Sequence, residues 1–290
     1  MSNEPITLGG KKPENQETPI NQPQAQMTDS DGQVVPGEFA DNEFMVPTDD
    51  VALPSGGMFY PNKQSTVKVK YLTAEDENIL TSPDLIRSGK VLDVLLENSI
   101  IDKGISPDTM LTGDRNAVLL SLRSTGYGDD YPIKMACPKC EEEYETTIKL
   151  SELEHKQIDI KPDANGEFEV ELPKMKSKLK FRLLNGKDES YLTKSNQRSK
   201  KLKSNIQFST LLTERYLLQI MEFNGNREKG YIKKAINSMP VFDSLFLREY
   251  MREVEPGVDL EHTFDCPSCG DVYNDTIPIT ARLFWPNAKV

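Results

Sequence analysis

The chain carries two Cys-Pro-x-Cys turns far apart in the sequence, and this pair constrains the fold more than any other feature. The first turn holds Cys137 and Cys140, and the second holds Cys266 and Cys269. Two cysteines separated by two residues can point both sulfurs at one tetrahedral ion, and two such turns make the four-cysteine site of a zinc ribbon. The sequence therefore predicts one structural Zn²⁺ bound by all four cysteines.

The spacing between the two turns is unusual for a zinc ribbon. Between Cys140 and Cys266 lie 125 residues, whereas ordinary ribbons have about 15–20 residues there. We infer a ribbon split into two halves, residues 132–150 and 258–290, with an α+β subdomain inserted at residues 151–257. Zinc would then hold the ends of a long loop together and remove loop-closure entropy from the unfolded chain.

The residues beside each turn predict short strands. Tyr144, Thr146 and Ile148 alternate after the first turn, and residues 272–279 follow the second. His262 lies close enough to Cys266 to replace a ligand, but we interpret it as a polar strand residue. Disulfides, redox-active thiols and an iron–sulfur cluster are less favoured alternatives for the cysteines, and disulfides also require an oxidising compartment.

Periodicity along the rest of the chain predicts an α+β fold. Residues 1–45 are polar and bury too little apolar surface to order, so they are predicted to form a disordered acidic tail. Residues 46–131 are predicted to be mostly helical, with a first helix capped by Thr73 and Asp76. Predicted strands carry Val67, Val69 and Tyr71, then Phe168, Val170 and Leu172, then Leu179, Phe181 and Leu183. Predicted helices carry Val91, Leu92, Leu95 and Leu96, then Val118, Leu119 and Leu122, then Leu211, Leu212, Tyr216, Leu217 and Ile220, then Phe242, Leu245, Phe246 and Tyr250.

Charge and hydropathy exclude some classes of protein. The net charge of -11 argues against nonspecific binding of nucleic acid, which needs a basic surface. The one basic cluster, formed by Lys194, Arg198, Lys200, Lys201 and Lys203, is interpreted as a solvated helix face. No apolar run approaches the ~20 residues that a bilayer requires, and the start of the chain lacks the pattern of a signal peptide. We therefore expect a reducing cytoplasm, or a particle assembled there.

The sequence gives little support for an enzyme. Its two histidines, His155 and His262, lie in no recognisable catalytic motif, and the run from Asn185 to Lys187 lacks the upstream glycine of a phosphate-binding loop. A closed four-cysteine site also leaves no open coordination position for a substrate.

Six sequence segments occur in order between about residues 51 and 287. They are Leu53-Pro54-Ser55 with Gly57 and Phe59-Tyr60-Pro61; Thr73-Ala74-Glu75-Asp76-Glu77 with Leu80 and Ser82-Pro83; Asp114-Arg115 with Leu122-Arg123 and Tyr127-Gly128; Leu247-Arg248; Pro256-Gly257-Val258-Asp259-Leu260; and Leu283-Phe284-Trp285-Pro286. Taken together with the two turns, they resemble the baseplate hub family of T-even-type tailed bacteriophages. The tail and much of residues 187–237 fall outside this resemblance.

The resemblance implies a non-enzymatic structural or assembly protein of the hub of a contractile tail. Its expected partners are other tail and baseplate hub proteins, and its expected location is the host cytoplasm during assembly and the tail baseplate of the virion. Phe59, Tyr60, Phe284 and Trp285 are candidate interface anchors, or equally core residues. A zinc-ribbon module that binds nucleic acid or the transcription machinery is the main alternative, and a redox or metal-handling enzyme is the second.

Overall fold

The structure, a computed structural model, describes residues 45–156, 158–201, 210–277, 279 and 283–284, without the side chains of residues 199–201. Within these ranges the chain forms nine strands and eight α-helices, which confirms the predicted α+β class. The predicted tail, apart from Met45, lies outside the described residues, as do Lys203 and Trp285. No helix in the described ranges is both long enough and apolar enough to cross a membrane.

The strands form four small antiparallel sheets. The strands are β1 (Thr48–Ala52), β2 (Thr66–Lys70), β3 (Asp130–Ala136), β4 (Glu143–Lys149), β5 (Glu167–Glu171), β6 (Lys178–Arg182), β7 (Ile220–Phe223), β8 (Glu261–Asp265) and β9 (Val272–Thr276). The helices are α1 (Ala74–Leu80), α2 (Pro83–Ser88), α3 (Val91–Ser99), α4 (Thr112–Tyr127), α5 (Gly186–Lys201), α6 (Leu211–Gln219), α7 (Lys229–Asn237) and α8 (Val241–Val254).

The N-terminal elements confirm the predicted strand and helices and add two short ones. The predicted strand is β2, and it pairs with β1. At the start of α1 the Asp76 carboxylate accepts hydrogen bonds from the backbone N–H and the hydroxyl of Thr73, both at 2.8 Å. Strand β1 was not predicted because only Val51 of its five residues is buried, so no alternation marks it. Helix α2, with six residues, is too short to show a helical period.

Polar side chains near the start of α4 are buried and bound by distant segments. Asp114 accepts hydrogen bonds from the Ser55 backbone N–H at 2.9 Å and from the Tyr60 hydroxyl. Arg115 forms an ion pair with Asp93 of α3. These contacts hold the loop between β1 and β2 against α4, and they hold α3 against α4. Burial raises the pKa of Asp114.

The buried Arg123 ties together the segments around the end of α4. Its guanidinium donates hydrogen bonds to the carbonyl oxygens of Gly128 at 2.7 Å, Asp130 at 3.0 Å and Leu283 at 2.8 Å. No carboxylate pairs with Arg123 within the described ranges, and desolvation lowers the pKa of its guanidinium. Three backbone carbonyls therefore replace the water that this cation loses.

Strands β5, β6 and β7 form one sheet, of which the first two strands are the predicted hairpin. The prediction that Ile220 continues the preceding helix is wrong, because α6 ends at Gln219 and Ile220 begins β7. Ile220 is fully buried and pairs with Phe181 of β6. Its β-branched side chain fits this buried strand position, so packing overrides the helical period.

Helix α8 follows Pro240 as predicted, and Phe246 and Tyr250 of the predicted stripe are half-buried, but the centre of the buried face is displaced from that stripe. Phe242 and Leu245, assigned to the predicted apolar stripe, are exposed. The buried apolar residues are Leu247, Met251 and Val254. The reason is Asp243, whose buried carboxylate accepts two backbone N–H groups of the β5–β6 turn at 2.7 and 2.8 Å and so fixes the rotation of the helix.

Two hydrophobic clusters fill the described chain. The first joins the N-terminal elements to β3, β4 and β8, and the second joins the β5–β6–β7 sheet to α6, α7 and α8. Tyr60 and Phe284 are buried in the first cluster, so of the two alternatives predicted for them the core position is the one observed. Phe59 is half-buried, and its ring centroid lies 6.2 Å from that of Phe168 in the second cluster.

The chain passes into and out of the second cluster through two adjacent, paired segments. The Lys156 N–H donates to the Gly257 carbonyl at 2.9 Å, and the Asp259 N–H donates to the Glu154 carbonyl at 2.7 Å. The returning segment also packs on α4, where a Cβ on Gly113 would lie 1.8 Å from the Pro256 carbonyl oxygen. Only glycine fits at that point of the helix.

We expect Gly113→Ala to lower the free energy of unfolding by at least ~2 kcal/mol, because backbone on both sides must shift to admit a methyl group. Gly230→Ala is the matched control, since Gly230 is likewise the second residue of a helix, α7, and its nearest neighbour there is a flexible glutamate side chain. The control should be neutral or stabilising by up to ~1 kcal/mol. Urea unfolding of both variants measures the difference, and equal stability would contradict the close approach.

Candidate metal centre

The four cysteines predicted as ligands lie together in one cluster. Their sulfur atoms all lie within 4.8 Å of one another. The Sγ atoms of Cys137 and Cys269 are 3.6 Å apart, and those of Cys140 and Cys266 are 3.7 Å apart. Both distances far exceed a disulfide bond of about 2.05 Å, and all four cysteines are free. Each close pair joins one sulfur from each turn.

Each cysteine turn is closed by the same two backbone hydrogen bonds. In the first turn, the Cys137 N–H donates to the Glu142 carbonyl at 3.0 Å and the Glu141 N–H donates to the Cys137 carbonyl at 2.9 Å. In the second turn, the Cys266 N–H donates to Asp271 and the Gly270 N–H donates to Cys266, both at 2.9 Å. The two turns therefore share one pattern of backbone hydrogen bonds.

The hairpins that carry the turns also share one register. Ala136 pairs with Glu143 in the β3–β4 hairpin, and Asp265 pairs with Val272 in the β8–β9 hairpin. In both hairpins, the residue just before the first cysteine pairs with the residue six positions after that cysteine. The predicted strands around the turns are thus confirmed, although β9 ends at Thr276, before the predicted limit.

Two side-chain contacts join the hairpins beside the sulfurs. The hydroxyls of Tyr144 and Tyr273 lie 2.9 Å apart, and the Lys139 ammonium lies 2.9 Å from a carboxylate oxygen of Asp271. The pKa of Tyr273 is raised, mainly by burial and to a smaller extent by the neighbouring Tyr144. We did not predict either contact, although both tyrosines stand seven residues after the first cysteine of their turn, a repeat that the sequence does contain.

The surroundings of the four sulfurs favour ionisation of one thiol and oppose ionisation of several at once. The backbone N–H of Cys140 lowers the pKa of Cys137 to about 7. The N–H of Glu142 acts in the same direction on Cys140, but desolvation and the other three sulfurs outweigh it and raise the pKa of Cys140 to about 12. Thiolates this close repel one another, so all four ionise together only when a cation balances their charge.

This arrangement can hold a metal ion with four sulfur ligands. The buried Cys137 and Cys266 face inward, and the exposed Cys140 and Cys269 complete the set. His262 is not part of the cluster: it lies on β8 with its ring 5.0 Å from that of Phe264, as expected of a strand residue.

In a comparison with protein families, residues 47–284 match the family described as T4 bacteriophage base plate protein. No curated protein and no solved structure matches the chain. The matched range contains both cysteine turns and the whole segment between them.

One of the differences between the two turns can be tested by substitution. Glu141 and Gly270 stand at equivalent positions, four residues after the first cysteine, with φ of 59° and 69°. A left-handed backbone costs a non-glycine residue ~1–2 kcal/mol. Glycine avoids this cost, but the gain in stability is smaller because glycine loses more conformational entropy on folding. We expect Glu141→Gly to raise the free energy of unfolding by up to ~1 kcal/mol and Gly270→Ala to lower it by ~1 kcal/mol. Denaturant unfolding measures both, and a loss of stability in Glu141→Gly would contradict this account.

Proposed function

The chain belongs to the T4 bacteriophage base plate protein family, and on that premise we propose that it is a non-enzymatic structural or assembly protein of the baseplate hub, with one structural zinc bound by Cys137, Cys140, Cys266 and Cys269. The match over residues 47–284 is the observation that carries the baseplate assignment. The hub position is supported by the order of the six sequence segments, several of which hold the described fold together.

The spacing of the sulfur atoms supports a single tetrahedral metal ion, and we propose zinc because a closed site of four cysteines is typical of structural zinc. Four sulfurs held ~2.3 Å from a tetrahedral ion lie ~3.8 Å from one another. The two cross-turn distances of 3.6 and 3.7 Å are close to this value. Four protein ligands leave no open position on the metal, so its role is to stabilise the fold and not to bind a substrate.

We further propose the domain division predicted from the sequence. After the tail of residues 1–45 come a mostly helical region at 46–131, a zinc ribbon with halves at 132–150 and 258–290, and a subdomain inserted at 151–257. The separate hydrophobic clusters and the paired segments between them support this division.

The proposed partners are other tail and baseplate hub proteins, met in the host cytoplasm during assembly. The nucleic-acid-binding alternative is less well supported, because the ribbon hairpins are acidic. Exposed carboxylates on and beside the first hairpin include Glu141, Glu142, Glu143 and Glu145. They would repel phosphates, whereas nucleic-acid binding depends on lysine and arginine contacts.

We expect protein purified after zinc-replete expression to have the native mass of the chain plus one zinc ion, with the four thiols protected from alkylation. Chelation at mildly acidic pH should release the ion and lower the midpoint of thermal unfolding. Cys140→Ser is the matched variant because it removes one exposed ligand, and His262→Ala is the control that should retain the metal. A metal-free mass with four reactive thiols would exclude the zinc centre.

The hub role is tested by affinity purification of the tagged chain from phage-infected cells, followed by mass spectrometry. We expect enrichment of tail-tube, hub and tape-measure proteins over an untagged control. Enrichment of polymerase, ribosomal or nucleic-acid-bound proteins would reject the role. Enrichment of peripheral baseplate proteins alone would keep the family assignment and reject the hub position.

A further inference from the structure

A groove of about 310 Å³ opens beside β1 in the first hydrophobic cluster. One wall is β1, which contributes Val51 and Ala52, and the opposite wall is the extended segment around Leu153. Its floor is α4, which contributes small side chains such as Ala117 and Ser121. No residue of β2 lines the groove, so it lies at the edge of β1 that faces away from its partner strand.

That edge of β1 carries backbone groups without partners. The Leu53 N–H donates to Ser65 and the Tyr71 N–H donates to Pro47, so the ladder places Asp49 and Val51 toward β2 and turns Thr48, Asp50 and Ala52 outward. Within the described part of the chain, the N–H and C=O groups of Thr48 and Ala52 and the C=O of Asp50 make no hydrogen bond. Alternating outward groups of this kind are a template for an added strand.

The opposite edge of the same hairpin is already occupied. The Lys68 carbonyl accepts the Ile101 N–H at 3.0 Å, and the Lys68 N–H donates to Asp102 at 2.7 Å. The hairpin therefore has one satisfied edge and one open edge, and the open edge faces a groove with a floor of small residues. Such a floor leaves room for the alternate side chains of an extended peptide.

Charges around the groove select the kind of peptide. Asp49 lines it, Asp50 is exposed on the same strand, and the opposite segment carries the exposed Glu152 and Glu154. Lys68 neutralises only Asp50, at 3.1 Å. Carboxylates on both rims attract a segment that carries lysine or arginine and disfavour an acidic one.

We propose that this groove binds an extended, lysine- or arginine-bearing segment of another tail protein, which adds as a strand to β1. The source of the segment rests on the proposed hub function, whereas the strand addition rests on the open edge and the acidic rims. The Ala52 and Thr48 backbone groups pair with the incoming strand, and its alternate side chains enter the groove over Ala117 and Ser121.

The test uses the full purified chain and an array of overlapping peptides that tile the tail proteins of the same phage, this chain included. We expect the bound peptides to be rich in lysine or arginine and to bind more weakly as salt is added. Amide hydrogen exchange at Thr48 and Ala52 should slow when such a peptide binds.

Two substitutions block the groove in different ways. Ala52→Pro removes an outward N–H that the β1–β2 ladder does not use, and Ser121→Phe fills the floor. Ala52→Pro should weaken peptide binding about fivefold, the value of one lost hydrogen bond, and Ser121→Phe should weaken it at least as much because its ring occupies the space of the peptide side chains. The controls Ala52→Ser and Ser121→Ala keep the N–H and the space, and thermal unfolding shows that all four variants fold.

Three results would overturn the proposal. They are the absence of any bound peptide that is sensitive to both blocking substitutions, binding of acidic peptides only, and binding confined to peptides of this chain, which would make the occupant a segment of this chain and not of another tail protein. None of them would alter the partners found by affinity purification, so the groove and the hub function fail separately.

Discussion

Buried polar groups along α4 hold the described chain together. A helix of this kind loses hydration at every buried charge, and each loss is compensated by a partner from a different part of the sequence. Asp114 is matched by the loop after β1, Arg115 by α3, and Arg123 by the C-terminal segment. Removing any one partner would leave an uncompensated buried group, which costs more than an average surface contact gains. Such groups select one arrangement of these segments and exclude looser ones.

The sulfur cluster adds a constraint of a different kind. Hydrophobic burial already brings the two hairpins together, because the first cluster includes Met135 of one and Phe264 of the other, but Cys140 and Cys269 at the hairpin ends stay exposed. The Tyr144–Tyr273 hydrogen bond and the Lys139–Asp271 ion pair are partly exposed, and exposed ion pairs contribute little. A metal ion bound by two sulfurs from each hairpin would add to the free energy that joins them. It would also close the loop between Cys140 and Cys266, whose ends already meet in the paired segments near Gly257.

Features encoded within a few residues were predictable, and features set by distant contacts were not. The spacing of Cys137 and Cys140 determines a turn whatever lies elsewhere, and its repeat at Cys266 identified all four cysteines that the structure brings together. Ile220 has the spacing of a helix residue, and only its pairing with Phe181 makes it a strand residue. Asp243 rotates α8 by binding a turn almost 70 residues away, which no helical period can reveal. The open edge of β1 likewise exists only in relation to β2.

The shared register of the two hairpins has a consequence for how copies of the chain meet during synthesis. Each hairpin offers two sulfurs in equivalent positions. The first hairpin of one chain and a hairpin of a second chain could therefore bind the same metal ion. What opposes this exchange is effective concentration: the paired segments around Gly257 keep the chain's own halves close, whereas another copy competes only at its bulk concentration. Where several copies of the chain are held close together, the local concentration of the other copies rises and this advantage becomes smaller. The order of folding and metal binding then matters. If the segment between the two hairpins folds before the metal binds, the hairpins of one chain are already close together, and domain swapping is disfavoured.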